Sequence, residues 1–245
     1  MCDKCESSEA AVHEGVLRRR FLKAAGGIAA SLVLAKSGFA KNQKPPPKPQ
    51  NEIAPAAALK RLMEGNARYV AGKSLQHDFK REREALVGGQ NPYAAILSCA
   101  DSRIAPEYCF DTARGDVFVC RVAGNFASDD IIASFEYAVE VLNTPLIMVL
   151  GHGACGAVDA TIKSVKEGTT LPGHLPALVA AISPAVEAVR AEPGDMLANA
   201  IRRNVTLNVE KLKKAAPILS AAADAKKIRV VGGVYELGSG RVSLV

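Results

Sequence analysis

Two short segments of the chain carry side chains that commonly bind metal ions. The first is Cys99-Ala-Asp-Ser-Arg103 and the second is His152-Gly-Ala-Cys155. Each follows an apolar run, over residues 94–98 and 146–150, of the kind typical of a buried parallel strand. Because the carboxyl ends of parallel strands border the ligand crevice of an open α/β sheet, we expect both segments to face one crevice.

Two thiols and an imidazole in one crevice predict a zinc site. Cys99, His152 and Cys155 supply three protein ligands, which is the number typical of a catalytic zinc that keeps one position open. Water or Asp101 would occupy the fourth position. A single buried Cys or His is more often a packing residue, so the prediction depends on the two segments meeting.

Asp101 and Arg103 are the predicted catalytic pair. Alternate residues of an extended segment share a face, so Cys99, Asp101 and Arg103 are all expected to point toward the metal. A carboxylate and a guanidinium can pair through two parallel hydrogen bonds. Such a pair would keep Asp101 off the metal and let it accept a hydrogen bond from the zinc-bound nucleophile. The alternative is an ion pair that only shapes the loop.

The pattern along the chain predicts how these residues are positioned. Strands are expected over residues 94–99, 117–122, 146–150, 228–234 and 241–245, and helices over 129–142, from near 154, 176–190 and 195–215. Strands that alternate with helices form a mostly parallel sheet, and the Gly238-Ser-Gly240 turn makes the last strand antiparallel. The predicted fold class is α/β, with a mostly parallel central sheet, an antiparallel edge strand, flanking helices and an amino-terminal helical arm over 54–70 and 78–86.

Composition narrows the possible partners. The chain has 245 residues, 49% of them hydrophobic and 5% aromatic, which predicts a largely aliphatic core. The net charge of +6 forms no dense basic stripe, so nucleic acid is not expected as a partner. The sequence contains no phosphate-binding GxxxxGK[ST] loop, and nucleotide binding is not supported.

The first 40 residues have the pattern typical of an export signal. Arg18-Arg19-Arg20-Phe21-Leu22-Lys23 precedes twelve uncharged residues, 24–35, and the small residue Ala40 suits a cleavage site. The arginine pair resembles the twin-arginine signal of bacteria. The apolar stretch is too short for a stable membrane span. We therefore predict a signal peptide over 1–40, a Pro/Lys linker over 41–52, a folded domain over 53–245 and a periplasmic location.

The two metal-binding motifs also carry a family resemblance. CADSR followed by GHGACGA is similar to the β-class carbonic anhydrases, and the similarity extends over about residues 54–245. Val122-Ala-Gly-Asn125, Phe135-Glu-Tyr-Ala138 and Gly233-Val-Tyr-Glu-Leu237 add to it. The resemblance implies one Zn²⁺ per subunit and a homodimer or larger oligomer. It implies reversible hydration of carbon dioxide to bicarbonate and a proton by zinc-bound hydroxide.

The resemblance also implies a substrate pocket. Its members are Gln90, Phe118, Ala123, Tyr137 and Gly156. The neighbouring subunit usually supplies Gln90, Phe118 and Tyr137 in this family, and the amino-terminal helices wrap over that subunit. Ordinary core packing is the alternative for Phe118 and Tyr137, and a helix pair lying on its own sheet is the alternative for the arm.

Two functional alternatives to carbon dioxide hydration remain at this point. Hydrolases of CS₂ or COS resemble the same fold and zinc motif, and a non-catalytic relative would also keep the ligands.

Some β-class enzymes close the site by binding the motif aspartate to zinc, with bicarbonate held by a tryptophan, an arginine and a tyrosine. Those positions fall on Ile96, Arg121 and Tyr235, and the chain has no tryptophan. We therefore expect the open state, with Asp101 off the metal.

Overall fold

The computed structural model describes residues 53–245 and shows a five-stranded sheet. The strands are β1 Ala94–Ser98, β2 Val117–Arg121, β3 Leu146–His152, β4 Arg229–Tyr235 and β5 Val242–Leu244. Their order is β2-β1-β3-β4-β5, with the first four strands parallel and β5 antiparallel to β4. The predicted fold class is confirmed. The predicted signal peptide and linker lie outside the described residues.

Eight helices accompany the sheet within residues 53–245. They are α1 Pro55–Val70, α2 Phe79–Ala85, α3 Pro106–Cys109, α4 Asp129–Glu140, α5 Gly156–Glu167, α6 Leu175–Ala188, α7 Met196–Lys214 and α8 Ile218–Asp224. The short helices α3 and α8 were not predicted, because one or two turns show too little periodicity to be recognised. Asp195 begins α7 by accepting a hydrogen bond from the Leu197 N–H at 2.9 Å, which satisfies a free donor of the first turn.

The two central strands are buried on both faces. All residues of β1 and β3 are buried, as expected for parallel strands covered by helices on each side. Ile96 and Met148 pack on the face covered by α1, whereas Leu97 and Val149 pack on the face covered by α4 and α7. This alternation holds the two strands rigidly, so the residues that follow them are positioned by the core.

The amino-terminal helices differ from one another. Helix α1 lies on the chain's own sheet through Leu59 and Leu62, so the alternative that it covers its own sheet is correct for this helix. Every residue of α2 is at least partly exposed. Its attachment includes the contact between His77 Nδ1 and a Glu82 carboxylate oxygen at 3.0 Å. Helix α2 is therefore the less buried part of the arm and has surface available for another subunit.

One edge of the sheet is a complete strand. Within residues 53–245, β2 pairs only with β1, and its five residues are partly exposed or exposed. Its unpaired backbone groups form a template for another strand. In the same region, no helix has the length and apolar character needed to cross a membrane.

Candidate metal centre

The fold brings three of the predicted metal ligands together. Cys99 follows β1 directly and His152 is the last residue of the adjacent strand β3, whose register pairs Ser98 with Leu150. Cys155 is the N-cap residue of α5. The ligand atoms of Cys99, His152 and Cys155 all lie within 4.8 Å of one another, and all three residues are buried. The carboxyl ends of two neighbouring strands thus form the cluster, as the sequence predicts.

The ring of His152 is oriented as a metal ligand requires. Its Nδ1 lies 2.9 Å from the carbonyl oxygen of Gly153, and since a carbonyl only accepts, Nδ1 carries the proton. The lone pair of Nε2 then points into the cluster. Among the described residues this buried nitrogen has no hydrogen-bond partner. An unsatisfied buried polar atom costs about 1–3 kcal/mol, and a metal ion bound at Nε2 would remove that cost.

The two thiols have unequal acidity. The neighbouring Cys155 thiol lowers the pKa of Cys99, against the effect of burial, with help from the Gly124 N–H. The Cys99 thiolate in turn raises the pKa of Cys155, and burial adds to this rise. A cation would relieve the repulsion between two thiolates. The donor set of two sulfurs and one imidazole nitrogen therefore fits Zn²⁺.

Asp101 and Arg103 form a two-pronged ion pair beside the cluster. Arg103 donates from Nε to Asp101 Oδ1 at 2.9 Å and from Nη2 to Oδ2 at 2.7 Å. These hydrogen bonds hold the pKa of Asp101 well below its usual range, against the opposing effect of burial. Asp101 Oδ2 also lies 3.8 Å from His152 Nε2. The carboxylate is thus close to the metal ligands but engaged by Arg103.

A turn, and not an extended segment, brings this pair together. The backbone N–H of Arg103 also donates to Asp101 Oδ1 at 2.9 Å, which is an Asx-type turn. The expected alternation of side chains along residues 99–103 is therefore wrong, because an aspartate after a strand favours a turn over continued extension. Arg103 Nη2 continues to the carbonyl of Ala154 at 3.1 Å and so links the two motifs.

Arg121 and Tyr235 are already engaged by the protein. Arg121 donates to three backbone carbonyls, those of Cys99, Asp101 and Ile104, at 2.7–3.0 Å. The hydroxyl of Tyr235 lies 3.3 Å from that of Tyr69. Arg121 therefore braces the loop after β1 through its Nε and Nη2 atoms.

The predicted substrate residues lie at two different ends of the sheet. Ala123, just after β2, and Gly156, the first residue of α5, lie at the carboxyl ends of the strands with the cluster. Gln90 is exposed and precedes β1, and Phe118 pairs with Ala95 near the start of that strand. Phe118 contacts the ring of Tyr137 at 6.4 Å between centroids. The structure thus does not bring Gln90, Phe118 and Tyr137 to the metal cluster of their own chain.

Sequence reasoning missed the hydrogen bonds that support Cys99. The Gly124 N–H donates to Cys99 Sγ at 3.3 Å, and Asn204 and Asn208 of α7 hold the loop that contains Gly124. A signal was present, because two asparagines four residues apart share one face of a helix and interrupt its apolar stripe. Ala154 adopts φ 51°, a left-handed conformation that costs roughly 1–2 kcal/mol for a residue with a Cβ.

Comparison with known proteins agrees with this geometry. The family model described as "Carbonic anhydrase" matches residues 94–242. "Carbonic anhydrase 2" of Mycobacterium tuberculosis is 40% identical over 192 residues, which is 78% of this chain and 92% of the relative. The carbonic anhydrase of Mycolicibacterium smegmatis is 38% identical over 191 residues, or 78% and 93% of the two chains.

Solved structures show the same fold. A tetrameric β-carbonic anhydrase from Sordaria macrospora gives a TM-score of 0.60 at 25% identity and covers 77% of this chain and 97% of that one. The Coccomyxa β-carbonic anhydrase gives 0.55 at 27% identity, over 78% and 82%. The cysteine–histidine cluster, the sheet that forms it and these similarities agree: the chain belongs to the β-class carbonic anhydrases, enzymes that catalyse the reversible hydration of carbon dioxide.

Proposed function

We propose that Cys99, His152 and Cys155 bind one Zn²⁺ per subunit. The observation that carries this proposal is the buried Nε2 of His152, which has no hydrogen-bond partner within residues 53–245 and lies beside two thiols. Bound zinc would act as a Lewis acid that activates a water molecule as the nucleophile toward carbon dioxide. The protein groups around it bind substrate, orient the nucleophile and keep the fourth position open.

Asp101 and Arg103 are the catalytic pair in this proposal. Arg103 holds both carboxylate oxygens of Asp101, which keeps the carboxylate from becoming a metal ligand. The remaining lone pairs of Asp101 can accept a hydrogen bond from the nucleophile and so direct its attack. The N–H of Gly156, in the exposed first turn of α5, can donate to an oxygen of the bicarbonate product at the positive end of the helix.

The direct test combines metal analysis with a hydration assay. We expect about one zinc per chain and rapid hydration of carbon dioxide in a stopped-flow experiment with the purified domain. The same preparation should leave CS₂ and COS essentially unhydrolysed. Rapid CS₂ hydrolysis with slow carbon dioxide hydration would assign the alternative substrates, and a protein without bound zinc would refute the ligand assignment.

We further propose that the complete active site forms in a homodimer. Strands rise about 3.3 Å per residue, so the five residues of β1 separate the loop holding Gln90 from Cys99 by roughly 16 Å. If β2 of a second copy pairs antiparallel with this β2, the two sheets run in opposite directions. The amino-terminal end of one sheet then lies beside the carboxyl-terminal, metal-binding end of the other. Centred on Val119, this pairing would bring the partner subunit's Phe118 opposite Cys120, toward the metal end of the sheet. Tyr137, with 47% of its surface exposed, would be covered in such a dimer.

Val119→Pro tests the dimer with little effect on the fold. Val122 donates its N–H to β1, at Ser98 O, so alternation along the strand directs the Val119 N–H to the free edge. Proline at an edge position removes a donor that faces outward, and its ring obstructs an added strand. We expect a zinc-containing monomer in light scattering, with hydration activity reduced by about 100-fold or more because substrate-positioning groups are displaced.

Val119→Thr is the matched control, because threonine keeps the N–H and the β-branched shape. It should remain dimeric and active. A Val119→Pro monomer with the activity of the parent protein would refute the shared site.

We also propose export to the periplasm through the twin-arginine route. The support is the sequence of residues 1–40, and the folded state that this route carries suits an enzyme that needs its thiols reduced until zinc is bound. The double variant Arg18→Lys/Arg19→Lys should remain folded and active in the cytoplasm, whereas Arg20→Lys should be exported normally. Cell fractionation with a hydration assay measures both, and periplasmic delivery of the double variant would contradict the proposal.

A further inference from the structure

Helix α7 carries a stripe of three polar residues that faces the loop over residues 122–127. Asn204 Nδ2 donates to Gly124 O at 2.8 Å, and Asn208 Oδ1 accepts from the Ala127 N–H at 2.7 Å. Lys211 Nζ donates to Ala127 O at 2.6 Å. Residues 204, 208 and 211 lie on one helix face, at i, i+4 and i+7. We refer to Asn204, Asn208 and Lys211 as the α7 stripe.

The stripe is built as a connected network in the interior. Asn208 Nδ2 donates to the backbone carbonyl of Asn204 at 2.8 Å and lies 3.1 Å from its Oδ1. Both asparagines are buried, and a buried amide without partners would destabilise the fold. These hydrogen bonds therefore hold both side-chain amides in the orientation in which they contact the loop.

The loop needs such support because its backbone is unusual. Gly124 and Asn125 are consecutive residues with positive φ, 82° and 41°. A Cβ at Gly124 would lie 2.4 Å from Ile182 Cδ1, so the loop is also pressed against α6. Sparsely populated backbone conformations persist only where surrounding contacts hold them, and they concentrate at functional sites.

Gly124 of this loop contacts one of the proposed metal ligands. The N–H of Gly124 donates to Cys99 Sγ at 3.3 Å, which aims a backbone donor directly at the sulfur. The same residue accepts from Asn204 through its carbonyl. The path from α7 to the sulfur is thus two hydrogen bonds joined by one glycine.

We propose that the α7 stripe positions the Gly124 N–H on the Cys99 sulfur and thereby tunes how strongly this thiolate donates electrons to zinc. The proposal rests on the zinc site proposed above. A hydrogen bond to a thiolate withdraws electron density from the sulfur, so the metal stays a stronger Lewis acid. Asn204, Asn208 and Lys211 contact the loop and lie outside the cluster of Cys99, His152 and Cys155, so they are positioning residues.

Cobalt substitution gives a readout that fold stability alone would not move. Co²⁺ in the same site produces a thiolate-to-metal charge-transfer band whose energy falls as the sulfur becomes a stronger donor. We expect Asn204→Ala to shift this band to longer wavelength relative to the parent protein. We also expect it to weaken zinc binding about tenfold in competition with a chelator, as is typical for loss of a group that supports a ligand.

Two further variants make the test decisive. Val209→Ala removes an apolar contact of the same helix with the core, so it should lower the melting temperature and leave the band and zinc affinity unchanged. Lys211→Met alters the exposed end of the stripe, so folding is preserved, and it should shift the band in the same direction by a smaller amount. If Asn204→Ala does not fold, Lys211→Met alone tests whether the α7 stripe acts on the Cys99 sulfur.

The outcomes separate the two proposals. An unshifted band and parental zinc affinity in folded Asn204→Ala and Lys211→Met would overturn the positioning role while leaving the zinc site intact. A parent protein that binds neither Zn²⁺ nor Co²⁺ would overturn the zinc site, and the positioning role with it.

Discussion

Cys99→Ser should lose both zinc and activity. A serine hydroxyl remains protonated where the thiol ionises readily, so one of the two anionic ligands disappears and the remaining groups bind zinc weakly. Loss of a supporting group outside the ligand set costs about 10–100-fold in metal affinity, and loss of a ligand should exceed about 100-fold. Metal analysis after dialysis and stopped-flow hydration measure both effects.

Cys120→Ser is the matched control for that substitution. Cys120 lies on β2, outside the cluster, and burial raises the pKa of its thiol, so it stays neutral. This variant should retain about one zinc per chain and most of the activity. A Cys99→Ser protein with a full complement of zinc would show that the cluster is not the metal site.

Arg103→Ala should close the active site without unfolding the protein. About half of the Arg103 side chain is exposed, so its removal has little effect on the core. Without the two-pronged ion pair, Asp101 is free to move the short distance to the metal, since its Oδ2 already lies 3.8 Å from His152 Nε2. Because the carboxylate would then occupy the open ligand position, we expect kcat to fall by about 100-fold or more.

A crystal structure of the zinc-loaded variant should show a carboxylate oxygen of Asp101 about 2.0–2.2 Å from the metal. Arg103→Lys keeps the charge but cannot form both hydrogen bonds, and its activity should lie between those of the parent protein and Arg103→Ala. In the parent protein at neutral pH, Asp101 should remain on Arg103. An aspartate bound to zinc in that parent structure would contradict the role assigned to Arg103.

The sequence predicted best what local pattern determines. Strands β1 and β3 are apolar runs whose ends are marked by the metal-binding motifs, and the α/β pattern predicted that both ends face one crevice. The position of Cys99 relative to His152 could be predicted for the same reason. The arm was less predictable, because the apolar face of α1 fits either its own sheet or another subunit and periodicity does not distinguish the two.

The supporting contacts of the site could not be predicted from local pattern. Asn204 and Gly124 are eighty residues apart, and only the folded chain brings α7 to the loop after β2. The turn at Asp101 was also missed, because the choice between extension and a turn depends on the Arg103 N–H finding the carboxylate. Long-range hydrogen bonds depend on tertiary structure, which sequence spacing does not encode.

The order of strands in the sheet also affects how the chain can fold during its synthesis. Strand β3 is buried between β1 and β4, yet four helices, α5 to α8, separate it from β4 along the chain. At roughly 5–20 residues per second, a ribosome would need several seconds to produce β4 after β3 has been made. Throughout that interval β3, an apolar strand that ends in the metal-binding residue His152, would have one unpaired edge. Such an edge is a template for association with other nascent chains. The nascent enzyme is therefore expected to need shielding by a chaperone until its fourth strand is complete.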